Sequence, residues 1–220
     1  ADVAEKYNIP TVKVTGGQRI DLLGVKKTDL PKVWADLDMP SGYAYGKALR
    51  TVKTCVGSEW CRFGVQDSTQ MGIDIERAFD HMWMPHKFKV AVSGCPRNCA
   101  ESGIKDVGII GVESGWEIYV AGNGGIKTVV AQFLVKVRTH DDVMEYTGAF
   151  AQLYREEAHY LDRTVHYVER VGLDHVKKHV VENAANRKAL YARLLYALQG
   201  ATNPWAKENI NAREFESLTI

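Results

Sequence analysis

Thr54-Cys55-Val56-Gly57-Ser58-Glu59-Trp60-Cys61 and Ser93-Gly94-Cys95-Pro96-Arg97-Asn98-Cys99 hold all four cysteines of the 220-residue chain. They form one C-x5-C pair and one C-x3-C pair, and four physical readings compete for them. Two disulfides of a secreted protein fit poorly. The first residues, Ala1-Asp2-Val3-Ala4-Glu5-Lys6-Tyr7, carry no basic-then-apolar leader pattern, and the chain is far above the size that needs covalent staples. Four unrelated buried thiols would not cluster with a tight loop inside each pair. A structural zinc site favours pairs two to four residues apart, so C-x5-C argues against it. A [4Fe–4S] cubane takes four thiolates from more widely spaced loops, and it is the preferred reading.

Outward from the cysteines, both pairs lie where regular structure is expected to stop. Ala48–Thr54 leads as a strand or loop into the first pair. Phe88, Val90 and Val92 alternate with Lys87, Lys89 and Ala91, which predicts a strand ending at Gly94-Cys95. Gly57 and Gly94 give the backbone room beside bulky sulfur, and Pro96 restrains the second loop. Between the pairs, Met71, Ile75, Ala78, Phe79 and Met82 recur at helical spacing and predict a helix over 68–81.

The remainder reads as mixed helix and strand. Val12 and Val14, then Ile20, Leu22 and Leu23, flank a Gly16-Gly17 break and predict two short strands or one strand with a bulge. Leu30–Leu37 reads as a short helix, with Thr28 or Asp29 at its N-cap and Pro31 in its first turn. Pro40-Ser41-Gly42 is a turn and the expected domain boundary, giving domains 1–42 and 43–220. Strands are expected over 107–112, 116–120 and 131–137. Asp141 or Asp142 should cap a helix running through Phe150, Leu153 and Tyr154 to Leu161. Val176–Leu198 reads as a second long amphipathic helix ended by Gly200. Gly122-Asn123-Gly124-Gly125 lacks the G-x-G-x-x-G order and reads as a hairpin turn.

Composition bounds the function. A chain 45% hydrophobic and 25% charged is globular rather than disordered. Lys and Arg number 28 against 27 Asp and Glu, so no general field for a polyanion exists and nucleic acid is not an expected partner. No apolar run approaches the roughly 20 residues of a membrane helix. A soluble, cytoplasmic protein is the expectation.

At the two cysteine stretches the chain resembles the siroheme and [4Fe–4S] signature of the nitrite and sulfite reductase family. The likeness extends over Ile9–Val25, Ser41–Cys61 and Pro85–Asp106, and is nearest to the siroheme portion of the large subunit of NAD(P)H-dependent assimilatory nitrite reductases. The resemblance implies an α+β chain: a small ferredoxin-like half-domain, then an α/β cluster- and siroheme-binding domain with C-terminal helices. It implies six-electron reduction of nitrite to ammonium, with sulfite to sulfide as the alternative. Cys55, Cys61, Cys95 and Cys99 would be the cluster ligands, and Cys99 the thiolate shared with the siroheme iron. A shared thiolate makes two redox centres act almost as one.

The same resemblance assigns substrate contacts. Arg50 stands in an Arg-x-Val-x-x-Cys context, and Pro85-His86-Lys87-Phe88-Lys89 is similar to a family Pro-x-Lys-x-Lys whose lysines face substrate. Independently of it, Lys87 and Lys89 lie two apart on a strand and share a face. A further arginine is Arg19. Family members often read Thr-Arg-Gln there, whereas this chain reads Thr15-Gly16-Gly17-Gln18-Arg19. Arg19 has the parity of position 17 in a strand and can reach the same pocket. Siroheme is rich in carboxylates, and Lys53, Arg62 and Arg97 flank the cysteine loops as its natural partners, with Asn98 and Gln18 as hydrogen-bond donors.

His81, His86, His159 and His166 show no metal spacing and receive no role. No dinucleotide fingerprint or flavin motif is found, so electrons must come from a flavin, NAD(P)H or ferredoxin-type module or partner outside these residues. Relatives often carry two copies of the half-domain and cluster domain, and this chain carries one of each. A homodimer in which each protomer completes the other's site is therefore expected. A non-catalytic electron-transfer or haem-storage protein with a blocked iron face is the competing class.

Overall fold

A computed structural model of the chain describes residues 1–39 and 46–201, which fall into two compact units. The expected Pro40-Ser41-Gly42 boundary lies outside the described residues.

The first unit carries a short helix α1 (Asp2–Lys6), a hairpin of β1 (Thr11–Val14) and β2 (Ile20–Leu23), and a helix α2 (Leu30–Leu37). The hairpin pairs Val12 with Leu22 and Val14 with Ile20, so its apolar side chains share one face. Its turn closes with the Gln18 N–H on the Thr15 carbonyl at 3.0 Å, and Gln18 adopts φ +58°. Asp29 occupies the N-cap of α2 and Pro31 its first turn, as the sequence predicts. The helix α1 was not anticipated. Lys6 and Tyr7 at its end both bond the Asp36 carboxylate on α2.

The second unit is built on a five-stranded sheet. Its strands are β3 (Lys53–Thr54), β4 (Val90–Ser93), β5 (Val107–Val112), β6 (Gly115–Val120) and β9 (Gln132–Val137), adjacent in that order. The strands β3, β4 and β5 run parallel, whereas β6 and β9 join as an antiparallel meander. A separate two-stranded ribbon of β7 (Asn123–Gly124) and β8 (Thr128–Val129) is the predicted glycine-rich hairpin. Helices pack on the sheet face that carries Phe88, Val90, Val92, Val107, Ile109 and Ile118. They are α4 (Ser68–Phe79), α5 (His140–Glu157), α6 (Thr164–Val171), α7 (Leu173–Lys177) and α8 (Ala184–Leu198), whereas the short α3 (Gly57–Trp60) belongs to the first cysteine loop. Of these, α4 and α5 supply the main core contacts through Met71, Ile75, Phe79, Phe150 and Tyr154. Phe88 stacks on Tyr154 at 6.0 Å between ring centroids.

Two C-terminal expectations are corrected. The helix α5 is capped by Thr139, not by Asp141 or Asp142. The Thr139 side chain accepts from the Asp142 N–H, and the Asp142 carboxylate accepts from the Thr139 N–H. It ends at Glu157 rather than Leu161, because the chain turns away to bring Arg163 and Thr164 to a buried carboxylate at Asp106. The single helix over 176–198 is broken into α7, a π-helical segment Lys178–Glu182 and α8. Asn183 makes the break: its side chain accepts from the Asn186 N–H at 2.9 Å and starts α8 afresh.

Candidate functional site

The two cysteine pairs leave neighbouring parallel strands at the same edge of the sheet. Lys53 pairs with Ala91 and Thr54 with Val92, so β3 delivers Cys55 and β4 delivers Cys95 side by side. The carboxyl ends of parallel strands are where α/β proteins bind ligands, since the chain leaves regular structure there. All four thiols are free. Cys95 is buried, Cys55 and Cys61 are half-buried, and Cys99 is exposed.

Glycines bring the loops together. A Cβ on Gly94 would lie 2.7 Å from the Gln66 carbonyl and 2.9 Å from the Gly57 Cα, and one on Gly64 would lie 2.5 Å from the Gly57 backbone. Gly57 also adopts φ +64°. Backbone bonds join the same segments: the Val65 and Gln66 N–H groups both donate to the Gly94 carbonyl, and the Gly94 N–H donates to Cys55 Sγ at 3.1 Å. Ser68 Oγ lies 3.2 Å from the same sulfur. Burial pushes the Cys55 thiol up, but the hydrogen bonds from Gly94, Ser68 and Gly57 outweigh it, and its pKa lies below the usual thiol value.

The Cys95–Cys99 loop folds back over the sheet face opposite the helices. Ser93 Oγ accepts from the Ala100 N–H and meets Ser102 Oγ at 2.9 Å, while the Ser102 hydroxyl donates to the Ala91 carbonyl. Asn98, at φ +58°, accepts from the Gly103 N–H through Oδ1. Its carbonyl oxygen is thus committed to the loop, and the predicted donor role falls to Nδ2.

On that same sheet face lie the cations. Leu49 bridges to Phe88 in parallel register, with the Arg50 N–H on the Phe88 carbonyl at 2.8 Å. Leu49 and Phe88 therefore point into the core, and Arg50, Lys87 and Lys89 point to the other face. The register advances by one residue between Leu49 and Lys53, a bulge at which the Val52 N–H is taken by Glu76 Oε2 at 3.0 Å. The bulge puts Lys53 on the cationic face as well. Lys53 pairs there with Glu101 at 3.1 Å, which Lys105 shares. Burial, then Arg163, Lys87 and Lys105, lower the pKa of Lys89, with Asp106 acting the opposite way. His86 is lowered by burial and by Arg163 and Lys87, and its Nδ1 accepts from the Lys87 N–H.

Arg62 and Arg97, one from each cysteine loop, converge on Phe63. Their guanidinium carbons lie 4.5 and 3.8 Å from its ring centroid. This bridge was not anticipated, since only the joined loops bring residues 62, 63 and 97 together. In the first unit, the Arg19 guanidinium folds back over Gly17: a Cβ there would lie 3.0 Å from its Nη1. Arg19 lies in the turn ahead of β2 rather than in a strand, so strand parity does not apply to it, and its guanidinium covers Gly17. Its Nε is buried and makes no hydrogen bond, and Gln18 lies in the turn before it.

The four free thiols match in number and kind the four thiolates that hold an iron–sulfur cube. Among the described residues, no three His, Cys, Asp or Glu side chains are placed to hold one metal ion. Zinc needs its thiolates about 2.3 Å from a common centre, whereas a cubane gives each thiolate its own iron.

Residues 45–188 match the nitrite and sulphite reductase 4Fe-4S domain, and residues 1–40 match the nitrite/sulfite reductase ferredoxin-like half domain. The chain belongs to the nitrite and sulphite reductase family. It is 59% identical over 205 residues to nitrite reductase [NAD(P)H] of Bacillus subtilis, covering 93% of this chain and 25% of that protein. It is 41% identical over 186 residues to the nitrite reductase (NADH) large subunit of Escherichia coli, covering 82% and 22%. An assimilatory-type sulfite reductase of Nitratidesulfovibrio vulgaris is 34% identical over 179 residues, covering 81% of this chain and 82% of the relative. The chain thus spans about a quarter of the nitrite reductases it matches. Two solved reductases share the α/β fold. Dissimilatory sulfite reductase I has a TM-score of 0.76 at 15% identity, covering 85% of this chain and 65% of that one. NirA of Mycobacterium tuberculosis has a TM-score of 0.72 at 19% identity, covering 83% and 37%.

Proposed function

We propose that this member of the nitrite and sulphite reductase family forms the siroheme and [4Fe–4S] centre of an assimilatory nitrite reductase taking nitrite to ammonium. The observation that carries the reading is the delivery of both cysteine pairs from adjacent parallel strands beside a face lined by Arg50, Lys87 and Lys89. Its 59% identity to an NAD(P)H nitrite reductase favours nitrite. Sulfite is the second substrate to test, because the sulfite reductase relative is the one whose length this chain nearly spans.

Cys55, Cys61, Cys95 and Cys99 would hold the cluster, with Cys99, the exposed thiol, shared with the siroheme iron. When bound, the two groups supply the electrons and an open iron position for the oxyanion. The chain's own residues do the rest. Arg50, Lys87 and Lys89 bind the anion and offset charge as its oxygens leave as water. Arg62, Arg97, Lys53 and Asn98 bind the siroheme carboxylates and ring edge. The half-domain spans 1–42 and the cluster domain 43–220. Reducing equivalents come from an NAD(P)H-linked module outside these residues. The protein works in the cytoplasm, where four free thiols stay reduced. It pairs as a homodimer, each protomer completing the other's site. Among the described residues, no helix is long and apolar enough to cross a membrane.

The test is turnover with dithionite-reduced viologen, nitrite against sulfite, alongside the visible spectrum. The expected protein is brown, its siroheme bands move on adding nitrite or cyanide, and nitrite is the faster substrate. Cys99→Ser should lose siroheme absorbance and activity. A colourless protein, or an unaffected Cys99→Ser variant, overturns the reading. Light scattering that shows an active monomer removes the dimer alone.

A further inference from the structure

Behind the cationic face lies a fully buried carboxylate that the reading above leaves without a role. Asp106 is 0% exposed. Its Oδ2 accepts from Arg163 Nη2 at 2.8 Å and from the backbone N–H of Lys89 at 2.8 Å. Its Oδ1 accepts from the Thr164 hydroxyl. The Lys89 carbonyl in turn accepts from the Val107 N–H at 3.1 Å, so both backbone groups of Lys89 are held by the segment 106–107. The pairing of Val90 with Val107 sets Asp106 beside Lys89, and the Leu49–Phe88 bridge sets Arg50 beside Lys89 on the other side. Arg50, Lys89 and Asp106 therefore line up across three neighbouring chain segments.

A buried carboxylate with one bidentate-capable arginine is costly to keep unless it does something for its neighbours. Here it stands among cations. Arg163 at the start of α6, Lys87 on the same segment, Lys105 and, by register, Arg50 surround Lys89, with His86 set against the same Arg163 and Lys87, and Asp106 is the acidic group among them. We propose that buried Asp106, held in place by Arg163, is a positioning residue for Lys89: it fixes the Lys89 backbone and sets one negative charge against the surrounding cations, so that the lysine meets the anionic substrate as an ammonium. The proposal rests on the reading of the site as an oxyanion reductase. The charge on Lys89 can nevertheless be measured without turnover.

The two partners act in opposite directions. Asp106→Asn removes the negative charge and leaves Arg163 facing Lys89, so the lysine gives up its proton at lower pH. Arg163→Gln removes the positive charge and leaves Asp106, so the lysine keeps its proton to higher pH. Trace acetylation of the isolated protein across pH, with peptide mass spectrometry, reads the titration of Lys89 itself. The expected displacement is downward for D106N and upward for R163Q, with R163K near the parent protein. In nitrite turnover, D106N should move the alkaline limb of kcat/KM to lower pH through a raised KM. A merely structural role would lower the stability of both variants without opposite displacements. Unchanged Lys89 titration in both, or displacement in the same direction, overturns the proposal. Should D106N fail to fold, R163Q decides alone: an upward move supports it, and no move or a downward one sinks it. If the parent protein reduces neither nitrite nor sulfite, the functional reading fails while the acetylation result still stands.

Discussion

The backbone N–H of Gly94 donates to the Sγ of Cys55 at 3.1 Å, tying the loop of the second cysteine pair to the first sulfur of the other. The contact is possible because no side chain stands at position 94, where a Cβ would meet the Gln66 carbonyl at 2.7 Å. Both atoms in that clash belong to backbone that is itself hydrogen-bonded, so neither can yield cheaply.

Gly94→Ala should therefore separate the loops. Overpacking of this kind costs about 1–3 kcal/mol, and the displaced Cys95 loop should lower iron content more than it lowers helical content. Iron analysis and thermal unfolding followed by circular dichroism check it. Full iron occupancy at unchanged stability would show that the loops have slack.

Ser68 is buried with its hydroxyl within reach of two acceptors on Cys55, the sulfur at 3.2 Å and the carbonyl at 2.9 Å, and a thiolate at the sulfur draws its one proton there. Hydrogen bonds to ligand sulfurs stabilise the more negative, reduced cluster. Ser68→Ala should keep the cluster, because Thr69 still bonds the Cys55 carbonyl at 3.2 Å, and should lower the cluster's reduction potential. A spectroelectrochemical titration reads the direction. An unchanged or raised potential would mean that the hydroxyl serves the carbonyl alone.

What could be read beforehand follows from how local each cause is. The strand β4 and the helix α4 announce themselves because alternation and helical spacing are written within a dozen residues of each other. The cysteine loops are legible for the same reason. The C-terminal helices depart from expectation for two reasons, a distant partner in one and a local cap in the other. The chain leaves α5 at Glu157 to carry Arg163 to Asp106, a partner 57 residues earlier. The break at Asn183 hinges on one side chain choosing to cap rather than continue a helix. In the site, the shared face of Lys87 and Lys89 follows from parity. Joining Arg50 to that face needed the bridge at Leu49, and bringing Lys53 onto it needed a bulge stabilised by Glu76, which no spacing rule reveals.

Phe63 is 41% exposed yet carries a guanidinium from each cysteine loop. Exposed cation–π contacts are worth about 0.5–1 kcal/mol each, too little to hold the loops but enough to aim the arginines. Phe63→Ala should leave iron content intact and weaken siroheme retention, whereas Phe63→Tyr should restore it. The absorbance ratio of siroheme to cluster after gel filtration measures the effect. Equal retention in all three proteins would assign the ring to packing only.

Tyr154 and Tyr167 pack with their rings tilted by 58° in the helical core, 5.7 Å between centroids. Burial raises both phenols above their ordinary value of 10.0, with the Glu157 carboxylate adding to the effect at Tyr167 through a 2.7 Å hydrogen bond. In the unfolded chain the same groups ionise near pH 10. A folded pKa raised above the unfolded one contributes stability that is complete below pH 10 and lost as pH rises beyond it. The protein should therefore hold its stability up to about pH 10 and then unfold cooperatively. Of its ten tyrosines, these two should ionise only in that transition. Near-ultraviolet phenolate absorbance followed together with circular dichroism tests this, and Tyr167→Phe should move the alkaline transition upward. Ionisation of all tyrosines ahead of unfolding would contradict the buried, neutral state of the pair.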